Sequence, residues 1–260
     1  MTILPFFQVD AFAERPFTGN PAAVMPLDHW LDDAVLQGIA AENNLSETAF
    51  TVPSEDGAVD YELRWFTPTV EVDLCGHATL AAAHILMKTQ SIAFSTRSGV
   101  LTVSRDGGRL WLDLPAYPVE EGEEEGLLDA LGTVGKPTFL SCGGNGAAIV
   151  LLDDEAAVRR VAPDFAALRL IDRLVIVTAP GRTSAVVSRV FAAFHGIDED
   201  PVTGSAHAAL VPFWAARLGQ TRFTAFQASK RGGLIECELR GDRVRLGGQA
   251  VTVIEGHFQL

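Results

Sequence analysis

The stretch DLCGHATLAAAHIL occupies residues 73–86, and DPVTGSAHAALVPFW begins at Asp200. Each places polar or small residues directly before a run of Ala and Leu, which are strong helix formers. Gly76-His77 and Gly204-Ser205 therefore each open a predicted helix, the first over residues 76–88. The likeness extends outward at a constant offset. GNPAAV starts at Gly19 and GNGAAIV at Gly144; RWF starts at Arg64 and RVF at Arg189; both pairs are separated by 125 positions. Two ordered matches at one offset indicate an internal repeat. The chain is expected to be an α/β (α+β) protein of two similar halves, residues 1–116 and 117–260. The last strand is left free to complete the first half.

Around these anchors, residues 3–12 (ILPFFQVDAF) read as a strand and residues 14–24 (ERPFTGNPAAV) as a loop punctuated by Pro16, Gly19 and Pro21. Residues 31–44 carry apolar side chains at 31, 35, 36, 39 and 40, a helical spacing. Residues 46–52 and 61–68 read as strands, and residues 94–115 as a hairpin pattern with a DGG turn. The acidic segment 117–132, with five Glu in positions 120–125, reads as the best linker candidate, although its tail could form a short helix. The C-terminal segment again looks like a hairpin.

The bulk properties restrict function. The 260 residues, 48% hydrophobic and 20% charged, suffice for real cores. A net charge of −13 makes nucleic acid and anionic membrane poor partners. Three cysteines without a CxxC pair give no redox or zinc framework, and the expected location is the cytoplasm. The N-terminal segment reads as neither signal peptide nor anchor, and no apolar run is long enough to span a bilayer.

The helix mouths point to chemistry. The first N–H groups of a helix have no internal partner and, with the macrodipole, attract anions. If the halves face one another, two such mouths would hold a carboxylate and stabilise an enolate-like charge. No GxGxxG motif follows a strand and no P-loop is present, so nucleotide binding is not expected. No HxH or HExxH spacing exists, so no metal is expected.

Six motifs, QVDAF, FTGNPAAV, NLSETAF, LCGHATLAAAH, DEDPVTGSAH and GGQAVTV, together resemble the PhzF-like phenazine biosynthesis family, which shares its fold with diaminopimelate epimerase. The resemblance runs from about Val9 to the last ten residues. It implies two halves, each a β-barrel-like sheet around a central helix, an active site between them, isomerase chemistry without cofactor, a small carboxylate substrate and a homodimer. The family's type reaction converts trans-2,3-dihydro-3-hydroxyanthranilate to its keto tautomer.

The resemblance also implies roles. Glu47 of NLSETAF would be the proton-shuttling acid/base; on residue type alone it reads as a surface Glu at a strand start. His77 would contact substrate or handle protons, against a plain helix-start histidine. Asp200 would be a second acid or hydrogen-bond acceptor and Ser205 a donor to a carboxylate, although both are also preferred helix-capping types. Gly76 and Gly204 would offer backbone N–H groups, and Asn20 would order or line the cleft. Cys75 matches one base of a two-thiol epimerase pair, but the matching place in the second half is Thr203, too weak an acid to complete it. Two rivals stay open: an amino-acid epimerase or racemase, and a non-catalytic small-molecule binding protein.

Overall fold

A computed structural model describes residues 2–55, 57–141 and 146–260. The chain divides into two compact units, Met1–Asp113 with Gly247–Leu260, and Leu114–Leu246.

The first unit contains β1 (Ile3–Ala11), β2 (Asn20–Pro26), α1 (Asp33–Asn43), β3 (Glu47–Pro53), β4 (Tyr61–Phe66), β5 (Glu71–Val72), α2 (Gly76–Leu86), β6 (Ser91–Thr96), β7 (Gly99–Asp106) and β8 (Arg109–Pro115). β1 pairs antiparallel with β2, β2 parallel with β3, and β3 antiparallel with β4. β4 continues antiparallel to β5 and parallel to β6, and β6 to β8 form an antiparallel meander. α2 is buried from Gly76 through Ala83 and touches β1, β2, β3 and β7, so the sheet wraps around it. On the outer side, Leu36, Ile39 and Ala40 of α1 pack on Met25, Phe50, Val52 and Phe66. β3 is thus covered on both faces, which explains its continuous burial from Glu47 through Val52.

The sequence expectation for the β1–β2 connection overran. Pro21 lies inside β2, opposite Asp10, rather than in a loop. It is the second residue of that strand, where a missing N–H is tolerated best. Gly19 is obligatory before it: φ is +66°, and a Cβ would lie 2.1 Å from the Ala11 carbonyl oxygen. This tight turn delivers Asn20 to the start of β2. α1 ends at Asn44, whose left-handed φ of 48° redirects the chain into Ser46-Glu47.

The second unit contains β9 (Val119–Glu121), α3 (Leu127–Leu131), β10 (Thr138–Ser141), β11 (Ala147–Leu151), α4 (Glu155–Arg160), α5 (Phe165–Leu168), β12 (Leu174–Pro180), β13 (Val186–Ala192), β14 (Ile197–Asp200), α6 (Gly204–Leu218), β15 (Arg222–Gln227), β16 (Gly233–Arg240) and β17 (Arg243–Gly248). The segment expected to be a linker is structured, and its tail forms the short helix α3 that the sequence left open. β9 pairs with β10, and Leu127, Ala130 and Leu131 enter a core with Val150, Val177 and Phe191. The Glu run hid these three apolar residues.

The pairing order repeats that of the first unit. β10–β11 is antiparallel, β11–β12 parallel, β12–β13 and β13–β14 antiparallel, β13–β15 parallel and β15–β16 antiparallel. Arg64 with Glu71 and Arg189 with Glu199 form bidentate ion pairs at matching places. Gly144 and Asn145 of the sequence repeat, and Cys142, lie outside the described residues.

α6 carries Pro212 in its interior. Proline leaves the carbonyl four residues earlier without its helical donor. That carbonyl, Ala208, instead accepts the Tyr117 N–H at 2.9 Å. Asp164 caps the short α5, accepting from the Ala166 and Ala167 N–H groups at 2.9 and 3.1 Å. Asp164→Ala is expected to cost about 1 kcal/mol in a denaturant titration; an unchanged midpoint would show that the cap contributes nothing. The last strand, β18 (Ala250–Gln259), returns to the first unit and pairs antiparallel along the length of β1.

Candidate active site

In the first unit the sequence-selected residues Asn20, Glu47 and His77 converge. Asn20 begins β2 and Glu47 begins β3. The two strands run parallel with Ala22 opposite Glu47, so their starts lie at one end. His77 is the second residue of α2, which packs beneath these strands. His77 Nε2 lies 3.1 Å from Glu47 Oε2, and Nδ1 lies 3.1 Å from Asn20 Nδ2 and 3.5 Å from Cys75 Sγ. Ser46 Oγ donates to Asn20 Oδ1 at 3.2 Å. Glu47 is 9% exposed and His77 2%. No side chain caps α2, which leaves the Gly76 and His77 N–H groups at its positive end.

Two polar atoms here are buried without a satisfactory hydrogen bond: Glu47 Oε2 and His77 Nε2. They are close enough to bond but not aligned for it, so the short separation marks a charge contact rather than a formed hydrogen bond. An unsatisfied buried carboxylate oxygen is costly, and such costs concentrate at working sites.

Burial pushes the Cys75 thiol up to about 11, with the Glu47 charge adding to the effect and His77 and the Ala78 N–H opposing it. Burial works against a charge on the His77 ring, whereas Cys75 and Glu47 favour it, and the sum lies upward. The Cys75 share requires a thiolate, which burial withholds near neutral pH. For the same reason Cys75 is expected to resist iodoacetamide in the native protein at pH ~7.5, where its thiolate fraction is on the order of 10⁻³ or less. Peptide mapping before and after denaturation checks this; labelling of the native chain at Cys75 would contradict it.

Glu47, Cys75 and His77 place possible ligand atoms within 4.8 Å of one another. The set does not fit one ion. Cys75 Sγ faces Nδ1 and the Glu47 carboxylate faces Nε2, on opposite edges of the ring. Bonds of about 2.0–2.3 Å to all three would require the groups to move.

Asp200, Gly204 and Ser205 belong to the second unit. Asp200 ends β14, Gly204 opens α6, and Ser205 is half-buried beside it. Thr203 Oγ1 donates to Asp200 Oδ2 in a short hydrogen bond. The buried Gln227 accepts the Thr203 N–H at 2.8 Å and donates to the Asp200 carbonyl at 2.7 Å and to Thr203 Oγ1 at 3.1 Å. Gln227 and Ser46 were not singled out by sequence. Ser46 adjoins Glu47 in NLSETAF and was detectable by proximity; Gln227 ends a strand that alternates buried and more exposed residues and gives no local signal. The place in β12 that corresponds to Glu47 in β3 holds Leu174, opposite Ala147.

The fold is mixed α and β, rich in sheet, and has close relatives. Among the described residues no helix is long and apolar enough to cross a membrane. An uncharacterized isomerase of Pseudomonas aeruginosa is 52% identical, covering 99% of both chains. A crystal structure of a PhzF-family phenazine biosynthesis protein from Enterococcus faecalis superposes with TM-score 0.91 at 44% identity over the whole of both chains. A hydroxyproline epimerase of Agrobacterium vitis shares the fold at 12% identity, with TM-score 0.64 over 98% of this chain and 92% of its own. The phenazine biosynthesis-like protein family, PhzC-PhzF, matches residues 9–256, and the chain belongs to that family.

Proposed function

We propose that the chain is a cofactor-independent isomerase that moves a proton on a small carboxylate substrate. The observation that carries this reading is the buried pair of Glu47 Oε2 and His77 Nε2, 3.1 Å apart and mutually unsatisfied, at the uncapped start of α2. Relatives bearing the name isomerase support it.

In the proposed step the Glu47 carboxylate takes a proton from a carbon next to an unsaturated or carbonyl-conjugated group. The electron pair of the broken C–H bond moves into the conjugated system. The same carboxyl then delivers the proton to another carbon on the same face. Net composition is unchanged, and one base suffices. The Nε2–H of His77 steadies the carboxylate, and the Gly76 N–H at the helix mouth binds the substrate's negative charge. Asp200, Gly204 and Ser205 are proposed to contact the substrate, with Asp200 as a second acid or a hydrogen-bond acceptor. Working protein is proposed to be a cytoplasmic homodimer.

The epimerase alternative needs two bases on opposite faces. Cys75 would have to ionise from about 11. Its counterpart Thr203 has its hydroxyl committed to Asp200. The test is deuterium uptake, read by mass spectrometry, from heavy water into a panel of dihydroaromatic and amino-acid carboxylates, including dihydrohydroxyanthranilate. Uptake with relocation of a double bond supports the isomerase. Exchange only at the α-carbon of both enantiomers of an amino acid would replace it with an epimerase.

A further inference from the structure

Asn20 is fully buried, and protein atoms hold both ends of its amide. Ser46 Oγ donates to Oδ1 at 3.2 Å, and Nδ2 stands 3.1 Å from His77 Nδ1. The Cys75 thiol reaches the same ring nitrogen at 3.5 Å. An amide NH₂ accepts no hydrogen bond, and a thiol is a poor acceptor. Two donors converging on Nδ1 therefore make it an acceptor. The single proton of the neutral ring then sits on Nε2, the nitrogen facing Glu47 at 3.1 Å.

We propose that Asn20 is a positioning residue that fixes the Nε2–H form of His77 and so keeps the ring's proton on the edge beside the Glu47 carboxylate, with Ser46 Oγ holding the amide oxygen. This rests on the reading of Glu47 as the carbon acid/base. It assigns Asn20 a task other than the substrate contact expected from sequence. The reverse tautomer would turn the Nε2 lone pair toward the carboxylate and repel it. Asn20, Ser46 and Glu47 come from the starts of two adjacent parallel strands, so one structural feature sets both the base and the tautomer of its neighbour.

The test combines spectroscopy and kinetics. In protein labelled with ¹⁵N-histidine, the His77 signals are assigned by comparison with His77→Gln. Wild type is expected to show unprotonated Nδ1 and protonated Nε2 once the pH is raised until the ring is neutral, because Glu47 and Cys75 hold its titration above the ordinary value. Asn20→Asp places an acceptor at Nδ1. It should draw a proton there and move the acidic limb of the exchange profile to higher pH, because the charged ring is favoured and the neutral ring forms later. Asn20→Ala should lower kcat by about 10²-fold with KM nearly unchanged. A protonated Nδ1 in the neutral ring of wild type, or an Asn20→Asp spectrum like wild type, would overturn the assignment. So would a raised KM with unchanged kcat in Asn20→Ala, which would make Asn20 a substrate contact. The spectra need no substrate. If they show the expected tautomer while Glu47→Gln exchanges as well as wild type, the tautomer assignment stands and the proton-shuttle reading falls.

Discussion

Glu47→Gln is expected to lower proton exchange into the true substrate by about 10²–10⁴-fold while leaving the fold intact. The amide is nearly the size of the carboxylate and keeps an oxygen beside His77 Nε2, so packing at the start of β3 is preserved. What is lost is the group that takes a proton from carbon. Glu47→Asp keeps the charge but withdraws it by one methylene. A base displaced by about 1 Å from its proton can lose about 10²-fold, so this variant should fall between the other two. The ordering of rates, wild type above Asp above Gln, at equal melting temperature is the signature of a positioned base. Equal exchange by wild type and Glu47→Gln would remove Glu47 from the role and return attention to Asp200. The second unit cannot rescue Glu47→Gln from the equivalent strand position, because Leu174 stands there.

Much of this site is legible in sequence because its residues sit at element boundaries. Gly76 opens α2 as expected, since a Gly followed by an Ala-rich run has few other local outcomes. NLSETAF reads as a strand start, and Glu47 is the first residue of β3. What sequence conceals is long-range. Asn20 and His77 are 57 positions apart, and nothing in either motif announces that an amide nitrogen meets an imidazole. Gln227 is 24 positions from Thr203, at the end of a strand whose pattern speaks only of burial. The linker expectation at residues 117–132 failed for a related reason. Glu content dominated a segment in which three apolar side chains, Leu127, Ala130 and Leu131, decide the packing. Pro21 was assigned to a loop on residue type, whereas its position next to a strand start removes the usual objection to proline in a sheet. The pairing of β18 with β1 joins the two ends of the chain, a contact that composition and periodicity do not encode.

The largest acid-dependent effect on stability is expected from His207. It is fully buried in α6; its Nδ1 donates to the Thr203 carbonyl at 2.8 Å, and Nε2 has no partner among the described residues. Burial pushes its imidazole down to about 4, opposed only in part by the Thr203 carbonyl. The unfolded chain protonates this ring near its ordinary value of about 6.5. Between roughly pH 6.5 and 4 the unfolded state thus binds a proton that the folded state refuses, and stability rises with pH in that window. The contribution is complete above about pH 6.5. It is lost progressively as pH falls and amounts to about 3 kcal/mol by pH ~4, at 1.36 kcal/mol per pH unit. His207→Leu removes the titration and sacrifices the bond to Thr203, a cost of about 1 kcal/mol that does not depend on pH. Urea titrations of both proteins from pH 7 to 4.5 isolate the effect, because carboxylates and the other histidines contribute alike to each and cancel in the difference. The wild type should begin as the more stable and lose that lead as the buffer is acidified, the two curves crossing below about pH 6. Curves that stay parallel down to pH 4.5 would mean that the folded protein accommodates the charged ring, and the dry interior of α6 would have to be reconsidered.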